Sequence, residues 1–300
     1  MNSDPHPPVC DYEGSTYQTE FWEKGGRDYE DRAEAVALKR LLPSRGDLLL
    51  ELGAGAGRNT TRYEGYQRVV LLDYSTTQLQ QARARLGNSP RYIYVAADVY
   101  RLPFVDGLFD GATLIRVLHH LADGQAALQQ IRQVMRPGGT FILEFANKQN
   151  VKAIARYLLR RQPWNPFSPE PIEFVELNYN FHPATTRTWL QQTGFAIQRQ
   201  LTVSHFRIWM LKRLLPTGLL VSLDSLAQLT GNWWQFSPSV FVRTQAVGNT
   251  PVASPGAFFK CPSCGRATLT EEPSRMVCQE CQTAWPVQDG IYNFKQPLPL

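Results

Sequence analysis

The 300-residue chain lacks any run of roughly 20 consecutive apolar residues, the length a membrane-spanning helix requires. Its N-terminus, MNSDPHPPVCDYEG, also lacks the positive charge followed by an apolar core that marks a secretory leader, so a cytoplasmic location is expected. Cysteine is scarce: there are five, of which four fall in one short C-terminal segment while Cys10 stands alone. That distribution argues for a reduced compartment and a metal site over a disulfide framework. There is no internal repeat and no low-complexity tract. A charged fraction of 19% beside 43% hydrophobic residues excludes a disordered chain. The net charge of +5 and pI near 9.0 favour an acidic surface, nucleic acid or lipid headgroups as neighbours, with a mildly basic soluble enzyme as an equal alternative.

What is there alternates. After a polar start comes an aromatic segment, Tyr17 to Tyr29, then a helical pattern in DRAEAVALKRLLP with Ala35, Leu38 and Leu42 in phase and Pro43 ending it. Strand patterns follow at 48–52, 69–74, 92–98, 109–117 and 141–145, separated by helical ones. Ser75 is placed to cap the helix that carries Leu79, Ala82 and Leu86. Leu128, Ile131 and Met135 mark the inner side of the next helix, with Pro137, Gly138 and Gly139 breaking the chain after it. Further strands are expected at 195–205 and 237–247. Such alternation implies an α/β fold with a doubly wound, mostly parallel sheet. Two insertions, 148–181 and 206–236, interrupt it, and 248–257 has the composition of a linker.

The chemistry starts at Glu51-Leu52-Gly53-Ala54-Gly55-Ala56-Gly57, closing the first strand. Glycines there let the backbone approach a ligand closely. A dinucleotide site would want Gly or Ala where Arg58 stands, and a carboxylate at Glu51 would repel a pyrophosphate. Glu51 suits a ligand bearing an ammonium group, such as the methionine end of S-adenosylmethionine. Asp73 closes the second strand, beside Tyr74 and Ser75, where a carboxylate can accept from both ribose hydroxyls. Asp98 closes the third, placed for an adenine amino group, with Val99 offering a backbone contact. Three carboxylates in phase with three strand ends point to the ligand-binding edge of such a sheet.

The segments ELGAGAGR, LLDYS, AADVYRLPFVDGLFD, VLHHL and MRPGGTFILEF resemble the successive motifs of class I S-adenosylmethionine-dependent methyltransferases. The similarity is to the small-molecule branch related to ubiquinone and menaquinone biosynthesis, over roughly 28–146. It implies a seven-stranded Rossmann-like methyltransferase sheet with the cofactor along Gly53–Gly57, Asp73 and Asp98. It further implies that the N-terminal helix covers the cofactor, with Tyr29 or Arg32 reaching its carboxylate. The expected layout is an N-terminal segment and cap over 1–30, the methyltransferase domain over 31–247, the linker 248–257, and a zinc ribbon over 258–300.

Methyl transfer from a sulfonium mainly needs alignment and a dry site, so the missing catalytic triad excludes nothing. Arg116, His119 and His120 follow the fourth strand: His120 is a candidate general base, Arg116 a candidate for binding the cofactor or an anionic acceptor. The Asn/Asp-Pro-Pro-aromatic motif of enzymes that methylate amino groups of bases or glutamine is replaced by Leu114-Ile115-Arg116-Val117, which disfavours that chemistry. In 148–161, Lys148, Lys152, Arg156 and Arg160 form a basic stripe opposite Val151, Ile154, Ala155 and Leu158. A lid with a solvated face and a helix for an anionic membrane or phosphates both fit this pattern. Trp209, Leu211, Leu214, Leu220, Trp233 and Trp234 suit an apolar substrate wall or ordinary core.

Cys261-Pro262-Ser263-Cys264 and Cys278-Gln279-Glu280-Cys281 are two C-x-x-C turns thirteen residues apart, the spacing of a structural four-thiolate Zn2+ site. CQTAWPVQDGIYNF resembles the zinc-ribbon activators that pair with methyltransferases of the translation machinery, with Gln282 where a glycine is usual. The readings carried forward are O- or C-methylation of a small apolar molecule, methylation of RNA or protein with the ribbon as docking module, and a non-catalytic scaffold. Peripheral membrane contact stays open, as does the oligomeric state.

Overall fold

The computed structural model describes residues 7–14 and 25–298. Most of the aromatic segment expected from Tyr17 onward lies outside the described residues. Helix α1 (Asp28–Leu41) carries Asp28, Glu30 and Asp31 in its first turn and Lys39 and Arg40 in its last, both favourable to the helix dipole. It buries Ala33, Ala37, Leu38 and Leu41, and ends where Leu42 turns extended ahead of Pro43.

Strands β1 (Gly46–Leu52), β2 (Tyr66–Asp73), β3 (Tyr92–Ala96), β4 (Phe109–Leu114) and β5 (Met135–Ala146) then pair in parallel, in the order β3-β2-β1-β4-β5. Leu49, Leu50, Val69, Val70 and Leu71 are fully buried, as strands covered on both faces must be. Helix α2 (Thr76–Leu86) follows β2 and is capped as expected: the Ser75 hydroxyl accepts from the Gln78 N–H at 3.2 Å. Helix α3 (Gly124–Val134) ends one residue before Met135, which starts β5 instead of closing the helix, although its side chain is buried as expected.

Helix α4 (Val151–Leu158) opens the first insertion, which also holds a hairpin, β6 (Ile172–Val175) and β7 (Asn178–Asn180), absent from the sequence reading. Helix α5 (Pro183–Gln192) leads into β8 (Phe195–Val203). The second insertion forms α6 (Trp209–Leu214), α7 (Thr217–Ala227) and a 3-10 segment, Gln228–Asn232, before β9 (Ser239–Ala246). β9 runs antiparallel between β5 and β8, completing a seven-stranded, mostly parallel sheet of the Rossmann-like methyltransferase kind.

The remaining strands, β10 (Leu269–Glu272), β11 (Arg275–Cys278), β12 (Ala284–Gln288) and β13 (Ile291–Asn293), make an antiparallel meander whose last member pairs in parallel with β3. The ribbon therefore extends the same sheet to eleven strands. Phe259 packs on Phe104, Tyr292 and Phe294 at ring distances of 4.9 to 5.8 Å. The stretch expected to be a linker is pinned: Arg132 donates to the Val247 carbonyl and to the Thr250 hydroxyl, and the Ala253 N–H reaches the Gly107 carbonyl at 3.1 Å.

Candidate cofactor cleft and cysteine cluster

A cleft opens at the carboxyl ends of β1, β2 and β4, where the chain crosses from strand to helix. It is lined by Glu51, Leu52, Gly53, Ala54, Gly55, Asp73, Tyr74, Val99, Arg116 and His120 among the residues singled out in the sequence. Gly53, Gly55 and Gly57 all have positive φ, at 65°, 52° and 74°. At Gly53 the need is also steric, because a Cβ would sit 2.1 Å from Val117 Cγ2.

Both oxygens of Asp73 are anchored by backbone: one accepts from the Gly55 N–H at 2.8 Å, the other from the Ser75 N–H at 2.9 Å. Each carboxylate oxygen retains a lone pair for a further donor. Burial pushes the Asp73 acid up to about 6, against those two N–H groups, which favour the anion. Glu51 accepts from the Thr60 hydroxyl at 2.6 Å, and burial, only partly offset by Thr60 and Tyr63, pushes it up to about 7. Two carboxylates whose charge is penalised are what a cationic, hydroxyl-bearing ligand would relieve.

Behind the glycine loop, the fully buried Glu34 of α1 pairs with both Arg58 and Arg116. Burial opposes its ionisation, but the two guanidiniums outweigh it and hold the acid below its usual range. Asp31 joins from the same helix, pairing with Arg58 and Arg62. Arg116 stands at φ 59°, its N–H donating to Glu144 at 2.9 Å. Its guanidinium is committed to Glu34, which disagrees with a role in gripping an anionic acceptor.

His120 lies at the cleft rim. Its Nδ1 faces the Leu177 carbonyl at 3.1 Å, which can only accept, so the proton sits there and Nε2 is left to accept from the Tyr12 hydroxyl at 3.1 Å. Burial lowers its pKa, the Leu177 carbonyl opposing weakly, so it is neutral. His119 is absent from the lining, and its Nδ1 is buried without a hydrogen-bond partner among the described residues.

Several placements differ from expectation. Tyr29 does not reach the cleft: its hydroxyl donates to Asp224 at 3.0 Å and accepts from the Phe206 N–H, fastening α1 to α7. Arg32 points outward and pairs with Asp28, one helical turn back. Asp98 is buried and not among the lining residues; one oxygen accepts from the Tyr100 N–H at 2.8 Å, and Ala97 and Val99 on either side do line the cleft. Ser75 and Gly57 are likewise absent from the lining. Covering falls less to α1 than to the strap 7–14: Val9 bridges to Leu121, Val9, Cys10 and Tyr12 line the cleft, and Glu13 accepts from the N–H groups of Thr76 and Thr77 at 2.9 Å. Nothing in the local pattern of 7–14 announces this, since the contacts span more than 60 residues of sequence.

The apolar residues of the second insertion do not wall the cleft; Leu220 is in the core, Phe206, Leu211, Leu215 and Val221 pack against it half-buried, and Trp209, Leu214, Trp233 and Trp234 are exposed. In the apolar stripe of α4, Val151 and Leu158 are exposed, and Ala153, outside that stripe, is the buried residue of the helix. Lys148 leaves the basic stripe, being buried with its ammonium on Ser168 and the Glu170 carbonyl.

With this geometry in hand, comparison with known proteins is decisive. The methyltransferase-domain family matches residues 50–143. The demethylmenaquinone methyltransferase of Mycolicibacterium vanbaalenii is 31% identical over 215 residues, covering 65% of this chain and 85% of that one. The chain belongs to the S-adenosylmethionine-dependent methyltransferases. The O-methyltransferase cnsE of Penicillium expansum is 32% identical over 147 residues, 45% of this methyltransferase but only about half, 52%, of the fungal protein. Among solved structures, a chain from the complex between the Haloferax volcanii Trm112 methyltransferase activator and a methyltransferase aligns with a TM-score of 0.55 at 17% identity. That alignment covers 77% of this chain and 96% of that one. An S-adenosylmethionine-dependent methyltransferase from Mesorhizobium loti gives 0.50 at 20%, over 71% and 97%. At those identities both speak for the fold alone.

In the ribbon of the methyltransferase, the four Sγ atoms of Cys261, Cys264, Cys278 and Cys281 lie within 4.8 Å of one another. The Cys261–Cys281 and Cys264–Cys278 separations are 3.7 and 3.6 Å, too long for disulfides, whose sulfurs stand about 2.05 Å apart. They match the edge of about 3.8 Å of a tetrahedron with metal–sulfur bonds of about 2.3 Å. The donor set and its spacing are compatible with Zn2+. Among the described residues, no helix is long and apolar enough to cross a membrane.

Proposed function

We propose that this enzyme transfers the methyl group of S-adenosylmethionine to oxygen or carbon of a small apolar acceptor. The observation that carries the reading is the pair of cleft-lining carboxylates, buried Glu51 and half-buried Asp73, presented beside three positive-φ glycines at the strand ends. Glu51 would hold the ammonium, Asp73 the ribose hydroxyls, and the backbone at Val99 the adenine edge, with Asp98 positioning that segment through Tyr100. The cofactor supplies a methyl group on a cationic sulfonium with a neutral leaving group.

The chain's own residues do the rest. Val9, Ile115, Val117 and Leu121 make the cleft apolar beyond the carboxylates, which excludes water and suits an uncharged acceptor. Neutral His120, whose Nε2 accepts from the Tyr12 hydroxyl, would serve as the base that draws a proton from a phenol or enol by way of Tyr12. Relatives named O-methyltransferase and demethylmenaquinone methyltransferase agree with such acceptors. We read 31–247 as the catalytic domain and 258–300 as a ribbon held by one structural Zn2+ on four thiolates.

Incubating the enzyme and label-bearing S-adenosylmethionine with cell extract tests the reading: label is expected in an organic-soluble small molecule. Label arriving instead in RNA or protein would overturn it in favour of a macromolecular acceptor.

A further inference from the structure

The two insertions leave an unusual surface. Trp209 is 73% exposed and Trp233 77%, and Val151, Leu158, Leu159, Met210, Leu214, Leu226 and Trp234 are more than half exposed. Large apolar side chains in this number, contiguous and outward, mark a docking surface. The start of α4 touches both ends of the second insertion: the Val151 N–H donates to the Phe236 carbonyl at 2.9 Å, and the Lys152 ammonium to the Arg207 carbonyl. α4, α6 and the 233–236 turn belong to the cleft's edge of the sheet, since α4 follows β5, α6 follows β8, and 233–236 precedes the antiparallel β9.

Charge decides what the face meets. Residues 149–162 contain Lys152, Arg156, Arg160 and Arg161 and no acid; 206–236 contain Arg207, Lys212 and Arg213 and one acid, Asp224, which is buried on His205 and Tyr29. Arg207 and Lys212 serve the buried Glu30, but Arg156, Arg160, Arg161 and Arg213 meet no carboxylate among the described residues. Arg213 lies over the Trp209 ring at 5.4 Å, so that cation and indole reach outward together. Tryptophan and leucine interleaved with arginine, without acids, is the composition that settles at the headgroup–acyl boundary of an anionic bilayer. A second copy of the chain would set these cations against themselves.

We propose that α4, α6, the outer side of α7 and the 233–236 turn form a face that seats the enzyme on an anionic lipid bilayer, with the cleft's edge turned toward the membrane. Binding stands on these residues alone. That the acceptor enters from the bilayer rests on the apolar acceptor proposed above.

The test is flotation of the full-length, zinc-loaded chain with phosphatidylcholine vesicles, with and without phosphatidylglycerol. Binding is expected with phosphatidylglycerol, at least ~10-fold weaker without it, and similarly weakened by high salt. The double variants Trp209→Ala/Trp233→Ala and Arg156→Glu/Arg160→Glu are each expected to lose ~10-fold or more in vesicle affinity, while keeping the unfolding midpoint and S-adenosylmethionine binding. Equal flotation of variants and parent overturns the proposal. So does a concentration-dependent dimer abolished by Trp209→Ala/Trp233→Ala, or tighter binding to RNA than to vesicles. Absence of vesicle binding by the parent chain, with intact methyl transfer to a soluble acceptor, defeats this inference and leaves the proposed function standing; the converse result defeats only the latter.

Discussion

The Lys295 ammonium lies 3.3 Å from a Glu13 carboxylate oxygen, joining the end of the cysteine ribbon to the strap that covers the cleft. The same ammonium stands 5.1 Å from the ring centroid of Tyr74, a lining residue. Two ends of the chain thus meet at the rim of one site.

The two partners are not equal. Glu13 also accepts from the Thr76 and Thr77 N–H groups at the start of α2, whereas the ion pair is partly solvated and worth little. Glu13→Ala is expected to cost about 1 kcal/mol, the scale of a lost helix cap, and to weaken S-adenosylmethionine binding about fivefold. Lys295→Met is expected to change it by less than about twofold. Calorimetric titration distinguishes the two.

Replacing Asp73 removes the acceptor that two backbone N–H groups orient. Asp73→Ala is expected to weaken S-adenosylmethionine binding by about 100-fold or more, since those donors lose their half-buried partner as well. Normal affinity in this variant would show that the cofactor lies elsewhere.

Acidification should weaken binding before it harms the fold. Glu51 and Asp73 titrate near 7 and 6 without ligand, above their ordinary 4.5 and 3.8, so in those windows the folded chain holds more protons than the unfolded one. For these two groups, folding is favoured by lower pH and that advantage is lost as pH rises through 6 and 7. A cationic ligand inverts the preference. Affinity should fall as pH drops from 8 to about 6, and binding at about pH 6.5 should release protons, read as heats that vary with buffer ionisation enthalpy.

At Gly53 a methyl group meets Val117 and a φ of 65°. Gly53→Ala is expected to destabilise the enzyme by more than about 1 kcal/mol and to abolish cofactor binding. Thermal unfolding monitored with and without S-adenosylmethionine checks both.

Metal loss should be felt by the whole molecule. Because β13 pairs with β3 and Phe259 packs on Phe104, Cys261→Ser or chelation is expected to lower the single unfolding midpoint by several degrees, without a separate ribbon transition. Metal analysis should give about one zinc per chain. A folded, metal-free ribbon with an unchanged midpoint would refute the role.

The seven strands, the Ser75 cap, the glycine loop and the two C-x-x-C turns were legible in the sequence because each rests on short-range rules. Strand burial on both faces makes apolar runs, a cap needs one hydroxyl, and a close-approach turn needs glycine. Which residues close the cleft was not legible. Tyr12 to His120, Glu34 to Arg58 and Arg116, and Tyr29 to Asp224 are pairings between distant segments, fixed only once the sheet order sets those segments side by side. The same holds for α4 and α6. An amphipathic pattern shows that a helix has an apolar side, but the neighbours supplied by the rest of the fold decide whether that side turns inward, and here they leave it facing out.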